Sequence, residues 1–297
     1  PARLDGKPLG NIFDTMIQGP STEELIQKGF LARPVTYAPP EKINLNHIKV
    51  RMGDYASDEL DREMDRPTVT GDAVEHYIKY APGQRAIAFC VSMKHAANVA
   101  EFFLQKGVSS SRIDGKMTPM QRQLVLDDFE TGRIKVLTSC EIVSEGFDLP
   151  AVGAAILLRP TRSLVVYIQA VGRALRPYPG KTKAIILDHV GNCLRHGLPE
   201  SNFRWSLDKG AMDQRKKKDP PPALRRCPMC YAVHRPAPQC PVCSHVYKVQ
   251  ERKLVQVPGE LKELSADQLK FLQQAPLRDV LRQNRTEQEL AKVAKAR

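Results

Sequence analysis

The sequence predicts a doubly wound α/β domain over residues 70–200, a parallel sheet with helices on both faces. Two observations predict it. Short apolar runs alternate with stretches of helical period, and most of those runs are continuously apolar, as strands buried on both faces must be. The predicted strands are Ala86–Val91, the short Arg112–Asp114, Ile134–Thr138, Ala154–Leu158 and Ala184–Leu187. Between them lie helices near Lys94–Lys106, Pro119–Glu130 and Ser163–Leu175.

The flanks read differently. Residues 1–40 read as the end of a preceding domain, with a helix over Ser21–Lys28 begun by Ser21-Thr22-Glu23-Glu24 and stopped at Gly29. Residues 41–69 read as an extended connector, with one alternating run (Ile43, Leu45, His47, Lys49) before the acidic, irregular Gly53–Arg66. Residues 201–226 form a basic, proline-rich linker containing Arg215-Lys216-Lys217-Lys218-Asp219-Pro220-Pro221-Pro222, which marks a boundary without regular structure. A cysteine cluster occupies 227–247. The tail 248–297 has helical spacing from Glu260 and ends in a helix capped at Thr286.

A chain of 297 residues can bury a full α/β core and carry small modules besides. No apolar run approaches the ~18 residues that span a bilayer, and the opening lacks the layout of a signal peptide, so a membrane role is not expected. Residues 201–297 hold 20 Lys/Arg against 10 Asp/Glu, +10 of the chain's +12. Such a surplus suits a polyanionic partner, because each neutralised phosphate releases counterions, although a solvated basic tail has the same composition.

Of seven cysteines, Cys90, Cys140 and Cys193 stand singly in apolar surroundings and read as buried thiols. Cys227, Cys230, Cys240 and Cys243 form two C-x-x-C pairs nine residues apart, spaced to close a tetrahedron of thiolates around one zinc ion. Four ligands leave no open position, which favours a structural zinc ribbon in a reducing cytoplasm over catalysis or disulfides. His234 and His245 are substitute ligands within reach. With Arg225, Arg226, Arg235 and Lys248 around it, the ribbon could grip nucleic-acid backbone or dock a protein.

The most informative segment is Tyr167-Ile168-Gln169-Ala170-Val171-Gly172-Arg173-Ala174-Leu175-Arg176. At ~100° per residue, Leu164, Ile168, Val171 and Leu175 form a core stripe, and Gln169, Arg173 and Arg176 a second stripe. Gly172 permits close approach of a ligand, and two aligned guanidiniums suit charge developing on a transferred phosphate. A solvated basic helix face is the alternative reading of the same residues.

Gln-x-x-Gly-Arg-x-x-Arg resembles motif VI of superfamily 2 DEAD/DEAH-type helicases of the repair, restriction and phage kind. Val136-Leu137-Thr138-Ser139 with Glu145-Gly146-Phe147-Asp148-Leu149-Pro150 resembles motif V. Ala88-Phe89-Cys90-Val91-Ser92 resembles motif IV, and Asp114-Gly115, Gln121-Arg122 and Phe129-Glu130-Thr131-Gly132 keep the family's order between them. The resemblance implies a RecA-like second motor domain. It implies that Gln169, Arg173 and Arg176 complete a site for ATP with Mg. Glu145, Gly146 and Asp148 would border the nucleotide, and Ser92, Thr138 and Arg122 would touch nucleic acid, DNA rather than RNA. Read singly, without the resemblance, Ser92 and Thr138 are more often strand-end caps. Pro1-Ala2-Arg3-Leu4-Asp5-Gly6 resembles the segment just past motif III, so a first RecA-like domain in cis would hold the Walker A loop and Asp-Glu box, and this stretch would not hydrolyse ATP unaided.

Two segments imitate those missing parts. Gly180-Lys181-Thr182 ends like a Walker A loop, yet Leu175 stands where its first glycine belongs. Asp58-Glu59-Leu60-Asp61 spells an Asp-Glu box but comes after no apolar strand. Both read as solvated loop. His189 and His196 could line an interdomain cleft or be ordinary hydrogen-bonded histidines. The expected function is the carboxy-terminal half of an ATP-dependent helicase or translocase in the cytoplasm of a bacterial or phage-infected cell. The alternative is a binding module of the same fold with no motor.

Overall fold

The structure is a computed structural model; it describes residues 9–40, 45, 47–51, 54–64, 67–140, 152–203, 205, 207, 223–247 and 270. The chain divides into two compact units, Pro1–Tyr247 and Lys248–Arg297. The second unit lies outside the described residues apart from Lys270, and so does the helix expected at Thr286.

Among the described residues of the first unit there are ten strands: β1 (Arg33–Tyr37), β2 (Val50–Arg51), β3 (Asp54–Tyr55), β4 (Ala86–Phe89), β5 (Ser110–Ile113), β6 (Val136–Ser139), β7 (Ala154–Leu157), β8 (Lys183–Asp188), β9 (Arg225–Arg226) and β10 (Ala232–His234). Seven helices join them: α1 (Thr22–Gln27), α2 (Ser57–Met64), α3 (Pro67–Tyr80), α4 (Met93–Gln105), α5 (Pro119–Glu130), α6 (Leu164–Leu175) and α7 (Asn192–His196). Eight strands form one sheet in the order β5-β6-β4-β7-β8-β1-β10-β9. The first six are mutually parallel, and β10 and β9 continue antiparallel from β1.

All five predicted strands are present. β4, β6 and β7 are buried along their whole length, which is why they read as unbroken apolar runs. The connections from β1 to β4 and from β4 to β5 run one way across the sheet, and those from β5 to β6 and from β7 to β8 run the other. With right-handed crossovers, α3 and α4 cover one face and α5 and α6 the other, the RecA-like arrangement expected. Helix starts obey the caps in the sequence. Ser21 with Glu24, and Thr118 with Gln121, form reciprocal capping boxes, and Pro119 occupies the first turn of α5.

Three expectations change. Residues 33–37, assigned to a preceding domain, are a strand of this sheet, paired with β8 from Arg33↔Lys183 to Tyr37↔Leu187. The connector is partly regular: β2 and β3 form a hairpin, and Asp58-Glu59-Leu60-Asp61 lies in α2, not in solvated loop. Leu60 and Met64, four apart, are buried beneath a surface that Asp58, Glu59 and Arg62 make look irregular in the sequence. Finally, Cys140 is half-buried, while Cys90 and Cys193 are buried as expected. Among the described residues no helix is long and apolar enough to cross a membrane.

Phe103 is fully buried on α4 and meets Tyr77 of α3 edge-on, with ring centroids 5.4 Å apart. Phe103→Ala is expected to cost about 3–5 kcal/mol of unfolding free energy in urea titration, and its half-exposed neighbour Leu104→Ala less than about 0.5. Equal losses at the two positions would mean that α3 and α4 do not pack this way.

Candidate functional site

Helix α6 begins at Ser163, whose hydroxyl accepts from the Val166 amide at 3.4 Å. It buries Leu164, Tyr167, Ala170, Val171, Ala174 and Leu175. Its other side presents exposed Gln169 and half-buried Ile168, Gly172, Arg173 and Arg176. The arginine stripe therefore stands on the accessible side. Ile168, packed against the core but only half-buried, also lines a groove of about 390 Å³ with Met16, Ile17, Phe203 and Trp205. A Cβ added at Gly172 would meet nothing within 4 Å, so internal packing does not require glycine there. The bare backbone is open to something from outside.

The end of α6 is built unusually. Pro177 forces Arg176 into an extended conformation (ψ 132°), which removes the left-handed cap that commonly satisfies the last carbonyls. Their donors come from elsewhere. The Ala32 amide donates to Leu175 O at 2.8 Å. Lys181 Nζ donates to Arg176 O and Val152 O, each at 2.7 Å, and to Ala174 O. Lys181 is thus a half-buried anchor rather than part of a solvated loop; burial draws its pKa down to about 8, while a helix C-terminus favours its charged form.

At the sheet's other edge, β4 and β7 are neighbours whose outgoing connections run in opposite directions, and this opens a crevice at their carboxyl ends. Ser92 comes just after β4 there. It caps α4 by accepting from the His95 amide at 3.0 Å and donates to the Asp61 carboxylate. Thr138 does not reach the surface: it is fully buried, and its hydroxyl donates to Ala96 O at 2.7 Å. The cap-like reading describes Ser92 as it stands; Thr138 instead ties β6 to α4. Arg122 is half-buried on α5 and donates to Asp114 O at 3.4 Å. Glu145, Gly146 and Asp148 lie outside the described residues.

One organising residue was not anticipated. Asp54, on the β2–β3 hairpin, accepts from the Arg162 amide at 2.7 Å and the Thr161 hydroxyl at 2.8 Å, and lies 3.9 Å from Arg159. From the opposite side Asn192 accepts from the Thr161 amide at 3.1 Å and donates to Arg159 O at 3.0 Å. The loop feeding α6 is held on both flanks. The Gly53-Asp54 turn signal was visible, but nothing local names a partner 107 residues away.

The four cysteines converge. Their sulfurs lie within 4.8 Å of one another, with Cys227–Cys243 at 3.5 Å and Cys230–Cys240 at 3.7 Å. Zn–S bonds of about 2.3 Å in a tetrahedron place sulfurs about 3.8 Å apart, so the donor set fits. The two pairs repeat one backbone design. In each, the residue after the second cysteine (Tyr231, Ser244) has positive φ, and its amide donates to the carbonyl of the first (3.0 and 2.9 Å). His234 bonds the Tyr247 hydroxyl at 2.8 Å instead of joining the cluster.

Residues 70–178 match the helicase conserved C-terminal domain. This segment belongs to that family. A 51.5 kDa protein of a Lactococcus phage (isolate 7-9) is 34% identical over 275 residues, spanning 91% of this chain and 60% of its own. UvrABC system protein B of Pseudothermotoga lettingae is 24% identical over 226 residues, 70% of this chain and 31% of its own. The chain thus spans less than two thirds of either relative. Among solved structures, the C-terminal domain of Saccharomyces cerevisiae Dbp5 aligns at 23% identity over 43% of this chain and 75% of that one, with a TM-score of 0.34.

Two histidines beyond the matched segment sit near the carboxyl end of β8. His196 is hydrogen-bonded, with Nε2 at 2.9 Å from Thr161 O and its ring stacked on Tyr167. His189 is buried 5.1 Å from the His76 ring, and its Nε2 has no hydrogen-bond partner among the described residues. Burial first, then His76, draws its pKa down from 6.5 to about 3. Between those values the unfolded chain binds the proton and the folded chain does not, so stability falls as pH falls from about 6.5 towards 3. His189→Leu is expected to remove about 3 kcal/mol of the unfolding free-energy difference between pH 7 and pH 4 in urea titrations. An unchanged difference would mean that His189 is not held neutral.

Proposed function

We propose that this chain supplies the second motor domain of an ATP-dependent nucleic-acid helicase or translocase, acting on DNA. The accessible face of α6 carries this reading: Gln169, Arg173 and Arg176 stand beside an open Gly172 at the end of a helix fixed on both flanks. Guanidiniums so placed supply what phosphoryl transfer needs from a second domain, charge that stabilises the equatorial oxygens of the transferred group. ATP with Mg would bind against a first RecA-like domain carrying the Walker loop, a pattern these 297 residues lack. Glu145, Gly146 and Asp148 enter the nucleotide site on the motif V resemblance. Strand contact would fall at the carboxyl edge, where Ser92 and Arg122 lie.

Cycles of hydrolysis would open and close the cleft between the two domains and step the protein along a strand. In the full-length protein, Arg173→Ala is expected to lower ATP turnover by about 1000-fold or more with ATP binding largely retained. Steady-state kinetics paired with equilibrium nucleotide binding tests this, and turnover at the wild-type level would reject the finger assignment.

We further propose that Cys227, Cys230, Cys240 and Cys243 hold one structural zinc. The matched knuckles and sulfur spacing support it. Elemental analysis is expected to find about one zinc per chain, and Cys240→Ser to lose it. Full zinc retention in that variant would exclude this ligand set.

A further inference from the structure

We propose that Lys181 is the positioning residue that sets the geometry of the arginine pair on α6, by bonding the carbonyls that end that helix. This rests on the reading of Arg173 and Arg176 given above. A helix leaves its last four carbonyls without internal donors, and each needs a donor or water. In α6 those carbonyls belong to Arg173, Ala174, Leu175 and Arg176. Pro177 excludes the usual left-handed cap, and among the described residues the segment leading into β1 reaches Leu175, through the Ala32 amide.

Lys181 supplies donors for two more, those of Ala174 and Arg176. Its ammonium has three protons and no acceptor capacity, and its three acceptors are the carbonyls of Ala174, Arg176 and Val152. Two of these belong to the final turn of the arginine helix, and the third to the entry of β7, the strand on which that helix packs. One side chain therefore ties the end of α6 to the sheet. Arg176 is itself the capping residue and offers its own carbonyl to Lys181, and Arg173 lies in the last turn, directly before Ala174, whose carbonyl Lys181 also holds. Tyr178 lies beside the ammonium, 5.3 Å from Nζ to its ring centroid. The turn from Tyr178 to Lys181, closed by the Lys181 amide on Tyr178 O at 3.0 Å with Gly180 at φ +81°, brings the side chain back beneath the helix.

Lys181 touches no reacting atom; it acts through the arginines. Displacements of about 1 Å at a catalytic group cost about 100-fold in rate. In the full-length protein, Lys181→Met is therefore expected to lower kcat for ATP about 100-fold while KM changes less than about threefold. Adding it to Arg173→Ala should cost little more than Arg173→Ala alone, because the two changes remove one function. Lys181→Arg, which retains charge and donors, should recover at least about tenfold of the loss; it also serves as the test should Lys181→Met fail to fold. Wild-type kcat in Lys181→Met alongside an inactive Arg173→Ala would overturn the positioning role and leave the finger reading standing. Additive losses in the double variant would overturn it as well. Wild-type turnover in Arg173→Ala would overturn the finger reading first, and this inference with it.

Discussion

The pairing of β1 with β8 is the interaction on which the other parts of the described unit depend. Its five register pairs place a strand from the start of the chain at the edge of a sheet built by residues 86–188. Once there, β1 serves three parts at once. One edge completes the parallel sheet, and the other receives β10 through Thr36↔Val233 and Tyr37↔Ala232. The residue before the strand, Ala32, donates the bond that helps close α6. A parallel sheet needs every edge amide either paired or solvated, and here one five-residue strand links the sheet, the cysteine cluster and the arginine helix.

The direction of α6 then separates two poles. A helix that connects parallel neighbours must run antiparallel to them, so α6 starts at the carboxyl edge and ends at the amino edge. Asp54, Asn192 and Thr161 fix its start; Lys181 and Ala32 fix its end. Ser92 lies at the first pole and Arg173 and Arg176 at the second. On the proposed reading, nucleic acid and nucleotide meet opposite ends of one rigid element, which gives a direct physical link between them without requiring a chain of intermediate contacts. The Asp61 carboxylate on Ser92 adds a condition: a phosphate approaching that hydroxyl must displace a like charge.

The core was legible in the sequence because burial on both faces leaves strands that are apolar at every position, and β4, β6 and β7 are of that kind. The four-cysteine spacing and the arginine stripe were legible for the same reason: each is a local pattern with one geometric consequence. β1 was not. Arg33-Pro34-Val35-Thr36-Tyr37 has no apolar run, its burial rises only along its length, and its partners lie about 150 and 200 residues away. The same holds for Asp54, whose partners lie 107 and 108 residues away, while Lys181 bonds carbonyls 5, 7 and 29 residues away that no local side-chain pattern marks. Thr138 shows the converse. A hydroxyl near a strand end matches a phosphate-contact pattern, yet in this structure it is fully buried and donates to Ala96 O of α4.

The cysteine cluster, read from sequence as a separate module, shares its core with the helicase domain. Cys227, Ala232, Val233 and Cys240 belong to the same buried cluster as β4 and β7, and the Tyr231 carbonyl accepts from the Ala38 amide at 2.9 Å. A module of about 20 residues cannot bury enough apolar surface to hold its own shape, so a metal ion supplies that order when it binds. Because β10 covers the open edge of β1, the order passes into the sheet. On the proposed reading, zinc stabilises the helicase domain itself: without it β10 loses its shape, β1 is left with unpaired amides on one side, and Ala32, at the head of that strand, is less firmly held against the end of the arginine helix.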